Sequence, residues 1–349
     1  LDYVMPATSL HNPNKTYGDW FAFGRMTKQV VTDSVSGSKT ANLWRMERVA
    51  VPNTATSGTM LPQATTVNAT FDPAYALSNT APVSIARNSF AALMTGNNGI
   101  TSSRTYASDV YKIAAWPDMA FAANQSTGAV TLVQLEDFSG NGLFTGSASD
   151  DAVNFGNVAY GSYPNTTPVL EYTYNWTYAN NAAFVDGTTM ALSAGVKTTT
   201  VAAVAPTLAP LANVVISKTT YSGATPTKGW TNALVNVANV DPATNGQITL
   251  KWDAVAGLSG YEISVYNCTT IIPDATTAVP VATIRTAKNE IMLPTSYFAP
   301  NGKFVFVIRQ IKMTGVDFNT APYAMALPME WADTVTGVLT FTATPVPAP

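Results

Sequence analysis

Apolar residues along this chain recur at every second position, in short runs rich in Val, Ile, Thr, Tyr and Phe. Gly, Pro, Asn and Asp clusters separate the runs, and helical periodicity is almost absent. That pattern predicts strands and turns, hence an all-β protein. The alternation is cleanest after residue 211. Gln247 to Val255 puts Ile248, Leu250 and Trp252 on one face and Thr249, Lys251 and Asp253 on the other, as a half-buried strand requires. After a short turn, Tyr261, Ile263 and Val265 face inward while Glu262 and Ser264 face out. VPVATIRTA and EIMLP supply two more strands. KFVFVIRQIKM reads as a central strand with Phe304, Phe306 and Ile308 inward, and Val338 to Ala343 closes the sheet.

Earlier in the chain, candidate strands are Asp19–Met26, Ala41–Ala50, Thr105–Ala115, Ala129–Leu135 and Val169–Tyr178, separated by polar loops such as Asn53–Asn68. This irregular spacing favours one larger, loop-rich β-domain over two small ones. Lys197 to Leu211, KTTTVAAVAPTLAPL, has two prolines and no alternation, and reads as an extended connector. The organisation expected is therefore an N-terminal arm (1–17), a loop-rich β-domain (18–196), a linker (197–211), a β-sandwich (212–344) and a Pro-rich tail (345–349).

The run I-x-L-x-W over Ile248–Trp252, a short turn, then G-Y-x-I-x-V over Gly260–Val265 resembles strands B and C of fibronectin type III domains. The segment L-P-x-x-x-F from Leu293, followed by F-x-F-x-I from Phe304, resembles their E–F region. The resemblance covers roughly residues 206–345 and implies an immunoglobulin-like sandwich with scaffold, spacer or binding roles. Phe304 stands where that family usually places a corner tyrosine, so the corner hydrogen bond is not expected.

Charged residues make up 11% of the chain, against about 25% in ordinary soluble domains. Thr, Ser, Asn, Gly and Ala take their place, which gives the neutral surface common on secreted and cell-surface proteins. The 18 Lys and Arg are scattered and the formal net charge is −3, so the positive footprint of a nucleic-acid binder is missing. No stretch approaches the ~20 apolar residues of a membrane helix. A first residue of Leu1 fits an exported protein whose signal peptide has been removed. Cys268 is the single cysteine, which excludes an intramolecular disulfide and reads as a small buried side chain.

Catalytic chemistry finds little purchase. His11 is the sole histidine and sits in a Pro/Asn-rich arm, so a His-based triad or metal centre is not expected. Adjacent carboxylates at Glu136–Asp137 and Asp150–Asp151 point to opposite faces of a strand and do not form an acid/base pair. No enzyme activity and no cofactor are expected. In EDFSGNG, Glu136, Asp137 and Asn141 offer part of a calcium shell that Asp150 and Asp151 could extend, but Gly140, Asn141 and Gly142 favour a plain hairpin turn directly. Asn-x-Ser/Thr triplets at Asn14, Asn68, Asn124, Asn165, Asn175 and Asn267 occur at the rate the Ser/Thr content alone produces.

Thr314 to Asp333 is long for a sandwich hairpin and carries Phe318, Tyr323, Met325, Leu327, Met329 and Trp331. Such a loop either folds back onto the protein or marks a contact with another molecule. Trp116, Trp176 and Trp230 are either core or sugar-stacking platforms. The expected function is an extracellular structural or adhesive surface protein, a self-assembling subunit of a filament or layer. Its expected partner is another copy or another surface protein. The alternative is a carbohydrate-binding or hydrolase-accessory module that binds a glycan.

Overall fold

A computed structural model describes residues 21–33, 37–49, 77, 79–95, 104–117, 130–136, 152–162, 166–179, 189–222, 225–240, 247–269, 279–294, 297–298 and 301–341 of the 349. The first half holds β1 (Phe21–Asp33), β2 (Gly37–Val49), β3 (Asn79–Ile85), α1 (Arg87–Thr95), β4 (Arg104–Pro117) and β5 (Val130–Glu136). It continues with β6 (Val153–Tyr160), β7 (Thr166–Ala179) and β8 (Thr189–Thr198). The second half holds β9 (Val215–Ser222), β10 (Thr225–Asn232), β11 (Val237–Val240), β12 (Gln247–Lys251) and β13 (Gly260–Asn267). It ends with β14 (Ala282–Thr286), β15 (Glu290–Pro294), β16 (Lys303–Met313), β17 (Met329–Val335) and β18 (Leu339–Phe341). The fold is all-β, with one short helix among the described residues.

One sheet of twelve strands runs through both halves. Its path is β1-β2-β5-β4-β7-β8-β17-β16-β13-β14, with β18 beside β16 and β11 beside β18. The halves meet where β8 pairs antiparallel with β17, from Met329↔Lys197 to Ala332↔Ala194. Lys197 and Thr198, read from sequence as connector, are thus the last residues of a strand.

In the second half, the order β10-β9-β12-β15 forms a separate four-stranded sheet. Ile216, Ile248, Leu250, Ile291 and Leu293 from it share one core with Tyr261, Ile263, Val265, Phe304, Phe306 and Ile308 of the large sheet. Ile248, Leu250, Tyr261, Ile263, Val265, Phe304, Phe306 and Ile308 are buried on the face expected. Thr249, expected outward, is buried too, and β16 also buries Val305 and Val307 on its other face. Phe304 packs edge-on to Phe298 at 4.9 Å and to Phe341 at 5.5 Å within this core.

The first half builds its core differently. One face of β7 and β8 carries Leu170, Tyr172, Tyr174, Met190, Leu192, Ala194 and Val196, all buried. Phe90, Ala91, Leu93 and Met94 of α1 belong to the same core, with Ala81, Val83, Ile85, Val153 and Val158 from the β3–β6 pair. This core continues across the seam onto Val305, Val307, Val335, Val338 and Cys268.

Candidate functional site

Residues that lie opposite one another across a ladder share a face. One such row crosses seven strands: Ser108 on β4, Asn175 on β7, Ser193 on β8, Asp333 on β17, Arg309 on β16, Glu262 on β13 and Arg285 on β14. Each is opposite the next in register except Ser193 and Asp333, which lie one residue past the last β8–β17 pair. Asn175 Nδ2 donates to Ser108 Oγ at 3.3 Å. Arg309 grips the Asp333 carboxylate in two bonds, Nε to Oδ1 at 2.7 Å and Nη2 to Oδ2 at 2.8 Å. Its Nη2 also donates to Ser193 Oγ at 3.2 Å. Where the β8–β17 ladder ends, Asp333 Oδ2 accepts the Ser193 backbone N–H at 2.8 Å. Arg285 Nε donates to Glu262 Oε2 at 2.7 Å. The Asp333 carboxylate raises the Arg309 pKa above the ordinary guanidinium value, a planar two-bond pairing that lysine does not reproduce.

Trp331 lies next to this row, two residues before Asp333. Its indole N–H donates to Ser193 Oγ at 3.0 Å. Its ring sits on Gly195, where an added Cβ would collide with the ring and with the Tyr172 carbonyl. A glycine is needed there for close approach, not for backbone conformation.

Residues 314–328 form a strap over the same face. Its first anchor is Phe318, which covers Gly260 and packs with Ile311 and Met313 while its N–H donates to the Ser259 carbonyl at 2.9 Å. A turn follows, with the Ala321 N–H on the Asp317 carbonyl at 2.8 Å and the Asn319 N–H on Asp317 Oδ1 at 2.8 Å. Arg285 Nη1 then donates to the Pro322 carbonyl at 3.2 Å, its guanidinium 5.7 Å from the Phe318 ring and 5.9 Å from that of Tyr323. The second anchor is Leu327, which crosses the seam to pack on Ala114, Trp116 and Val169 of β4 and β7. The strap therefore folds back onto both halves at once.

The six apolar residues singled out in Thr314–Asp333 separate accordingly. Phe318 and Trp331 are buried, Leu327 and Met329 are half-buried, and Tyr323 and Met325 are 83% and 45% exposed. Met329 and Trp331 belong to β17, so the loop proper ends at residue 328. Beneath its return lies a cleft of about 230 Å³ lined by Gly257, Lys312, Met313, Thr314, Pro328 and Glu330.

Trp116 is buried under the Lys197 ammonium at 4.3 Å, Trp176 is partly buried, and Trp230 is 46% exposed with the Lys251 ammonium 3.7 Å from its ring centre. Glu136 ends β5, whereas Asp137, Asn141, Asp150 and Asp151 lie outside the described residues, as do His11, residues 1–17 and the tail 345–349. Among the described residues, no three His, Cys, Asp or Glu side chains gather in a way that would hold a metal ion. Asn267 and Asn175 hydrogen-bond within the protein, to Thr269 and Ser108. No described helix is long and apolar enough to cross a membrane.

Sequence reasoning missed a buried ionic group in the first half. Arg87 Nε donates to Asp109 Oδ2 at 2.8 Å, and the Tyr172 hydroxyl donates to the same oxygen at 3.0 Å. Burial lowers the Arg87 pKa, and Asp109 together with Tyr172 and Tyr174 more than offsets it, so the net shift is upward. Burial pushes the Tyr172 phenol well up. Arg87 opens α1, and all three groups are buried in the first half. No protein-family model and no curated protein matches the sequence.

Proposed function

We propose that this chain is an extracellular structural or adhesive surface protein that assembles with further copies of itself. The observation that carries this reading is the strap. A loop pinned at Phe318 and Leu327 presents Tyr323 and Met325 outward on a fixed base, which is the composition and rigidity of a contact surface. The low charge supports it, because so sparse a charge protects poorly against self-association. The sandwich-like second half and its resemblance to fibronectin type III domains support a scaffold in place of an enzyme. Light scattering and negative-stain microscopy across protein concentration test it. Ordered polymers are expected, and the double change Tyr323→Ser, Met325→Ser should weaken them. A monodisperse monomer at every concentration overturns the reading.

One observation favours a second reading, a glycan-binding module. Trp230 exposes its indole on the outer face of the four-stranded sheet, in the row with Ser217, Thr249 and the exposed Met292. Retardation in gels containing a neutral polysaccharide, abolished by Trp230→Ala, would establish it. Equal migration of both proteins would remove it.

A further inference from the structure

The connector passes from one half of the molecule to the other within a very short stretch. Val204 is tied to the first half: its N–H donates to the Ser84 carbonyl at 2.8 Å, and its carbonyl accepts the Ala86 N–H at 2.9 Å. Thr207 is tied to the second half, its N–H donating to Glu330 Oε2 at 2.8 Å and its hydroxyl to Oε1 at 2.9 Å. Lys312 Nζ donates to the Thr207 hydroxyl at 2.5 Å, Gln310 Nε2 donates to the Ala209 carbonyl at 3.2 Å, and Leu211 enters the sandwich core. Only Ala205 and Pro206 lie between the two sets of anchors. Beyond that dipeptide, the halves are joined by non-covalent contacts: the β8–β17 ladder, the Asp333–Ser193–Arg309 bonds, Trp331 on Gly195, Leu327 on Trp116, and the shared core.

We infer that this seam is the surface through which copies join, by exchange. The first half of one molecule supplies β8 to β17 of the next, with Ala205–Pro206 as the hinge. The inference rests on the self-assembly reading above: exchange links the copies, and the exposed strap tips Tyr323 and Met325 add contacts between copies so linked. The occupant follows from the structure, because a second copy offers the same strand, glycine, serine and tryptophan that fill the seam within one chain. Exchange between copies therefore loses no contact, and concentration decides between closed monomer and linked chain. Each copy then donates one half and accepts another, a heterologous contact that propagates whenever its rotation does not close a ring.

Two disulfide staples test this. Ala194 faces Ala332, and Lys197 faces Met329. Opposed pairs alternate between close and wide spacing along an antiparallel ladder, so pairs three residues apart sample both and one of them suits a disulfide. The double variants Ala194→Cys, Ala332→Cys and Lys197→Cys, Met329→Cys are oxidised as dilute monomer and then concentrated. The stapled monomer should form no polymer, and reductant should restore assembly to the unstapled level. When polymer is formed first and then oxidised, a non-reducing gel should show a ladder of covalent oligomers. If stapled monomers polymerise like the unmodified chain, exchange is refuted while self-assembly stands. If the unmodified chain forms no polymer at all, both readings fall together.

Discussion

The two halves of this molecule fill their cores with different chemistry. The second half closes its sandwich with hydrocarbon, and the rings of Phe298 and Phe341 stack at 4.5 Å with Phe304 set edge-on to both. The first half buries Arg87, Asp109, Tyr111, Tyr172, Tyr174 and Tyr178 among its aliphatic side chains. Hydrocarbon is indifferent to which neighbour it touches, provided volume and shape are right. A buried ion pair depends on each named partner, because removing one leaves a charge without compensation. The first core should therefore be the more specific and the second the more forgiving.

The largest expected effects test that contrast directly. Asp109→Leu should cost about 3–5 kcal/mol of unfolding free energy in urea, since Arg87 and Tyr172 lose a shared acceptor. Adding Arg87→Met should recover much of it, as an apolar pair replaces an ionic one. Phe304→Ala should cost a comparable ~3–5 kcal/mol as an unfilled cavity, with no second-site change of charge to rescue it. Equal rescue in both cores would erase the distinction.

A smaller loss, about 1.5–3 kcal/mol, is expected for Asp333→Ala at the boundary between the cores. If that variant unfolds in two steps where the unmodified chain unfolds in one, the polar row is what couples the halves.

Alkali supplies a third comparison. Burial pushes the Cys268 thiol up to about 12, with Lys303 pulling weakly the other way. The unfolded thiol ionises near ~8.5, so the folded chain keeps a proton that the unfolded chain releases. This contribution to stability is complete below about pH 8.5 and is lost as pH rises toward 12. At pH 8 a thiol reagent should leave the native protein unlabelled and label it fully in urea. Labelling of the native state would place Cys268 outside the core that spans the seam.

The smallest effect belongs to Tyr323→Ser, within roughly 0.5 kcal/mol, because an exposed side chain supports little. A larger loss would mean that Tyr323 holds the strap down instead of presenting outward.

Much of the second half was legible because its strands alternate cleanly. EIMLP and KFVFVIRQIKM coincide with β15 and β16 residue for residue. In the first half, β2, β4, β5 and β7 lie near their expected places, while β3, β6, β8 and α1 went unread. β8 hid because Ser193 and Gly195 on its second face take their meaning from Trp331 and Asp333, more than a hundred residues away. β17 hid for the converse reason. Its polar Glu330, Asp333 and Thr334 look like a turn until Thr207 and Arg309 are seen to satisfy the first two. The loop between β16 and β17 was recognisable as a place of interest by composition. Its division into anchors and exposed tips depends on Gly260, Trp116 and Val169, which are distant in sequence.

The polar row also restricts how the strands align. Side chains alternate across a strand, so a slip of one residue carries every group to the opposite face. Slipped by one, β16 would turn Arg309 toward the phenylalanine-lined sandwich core and leave Asp333 facing hydrocarbon. An unpaired charge in such surroundings is costly enough to reject the misaligned form. A row one residue deep thus proofreads how β16, β17 and β8 align, adding a check on register to the one their apolar neighbours supply.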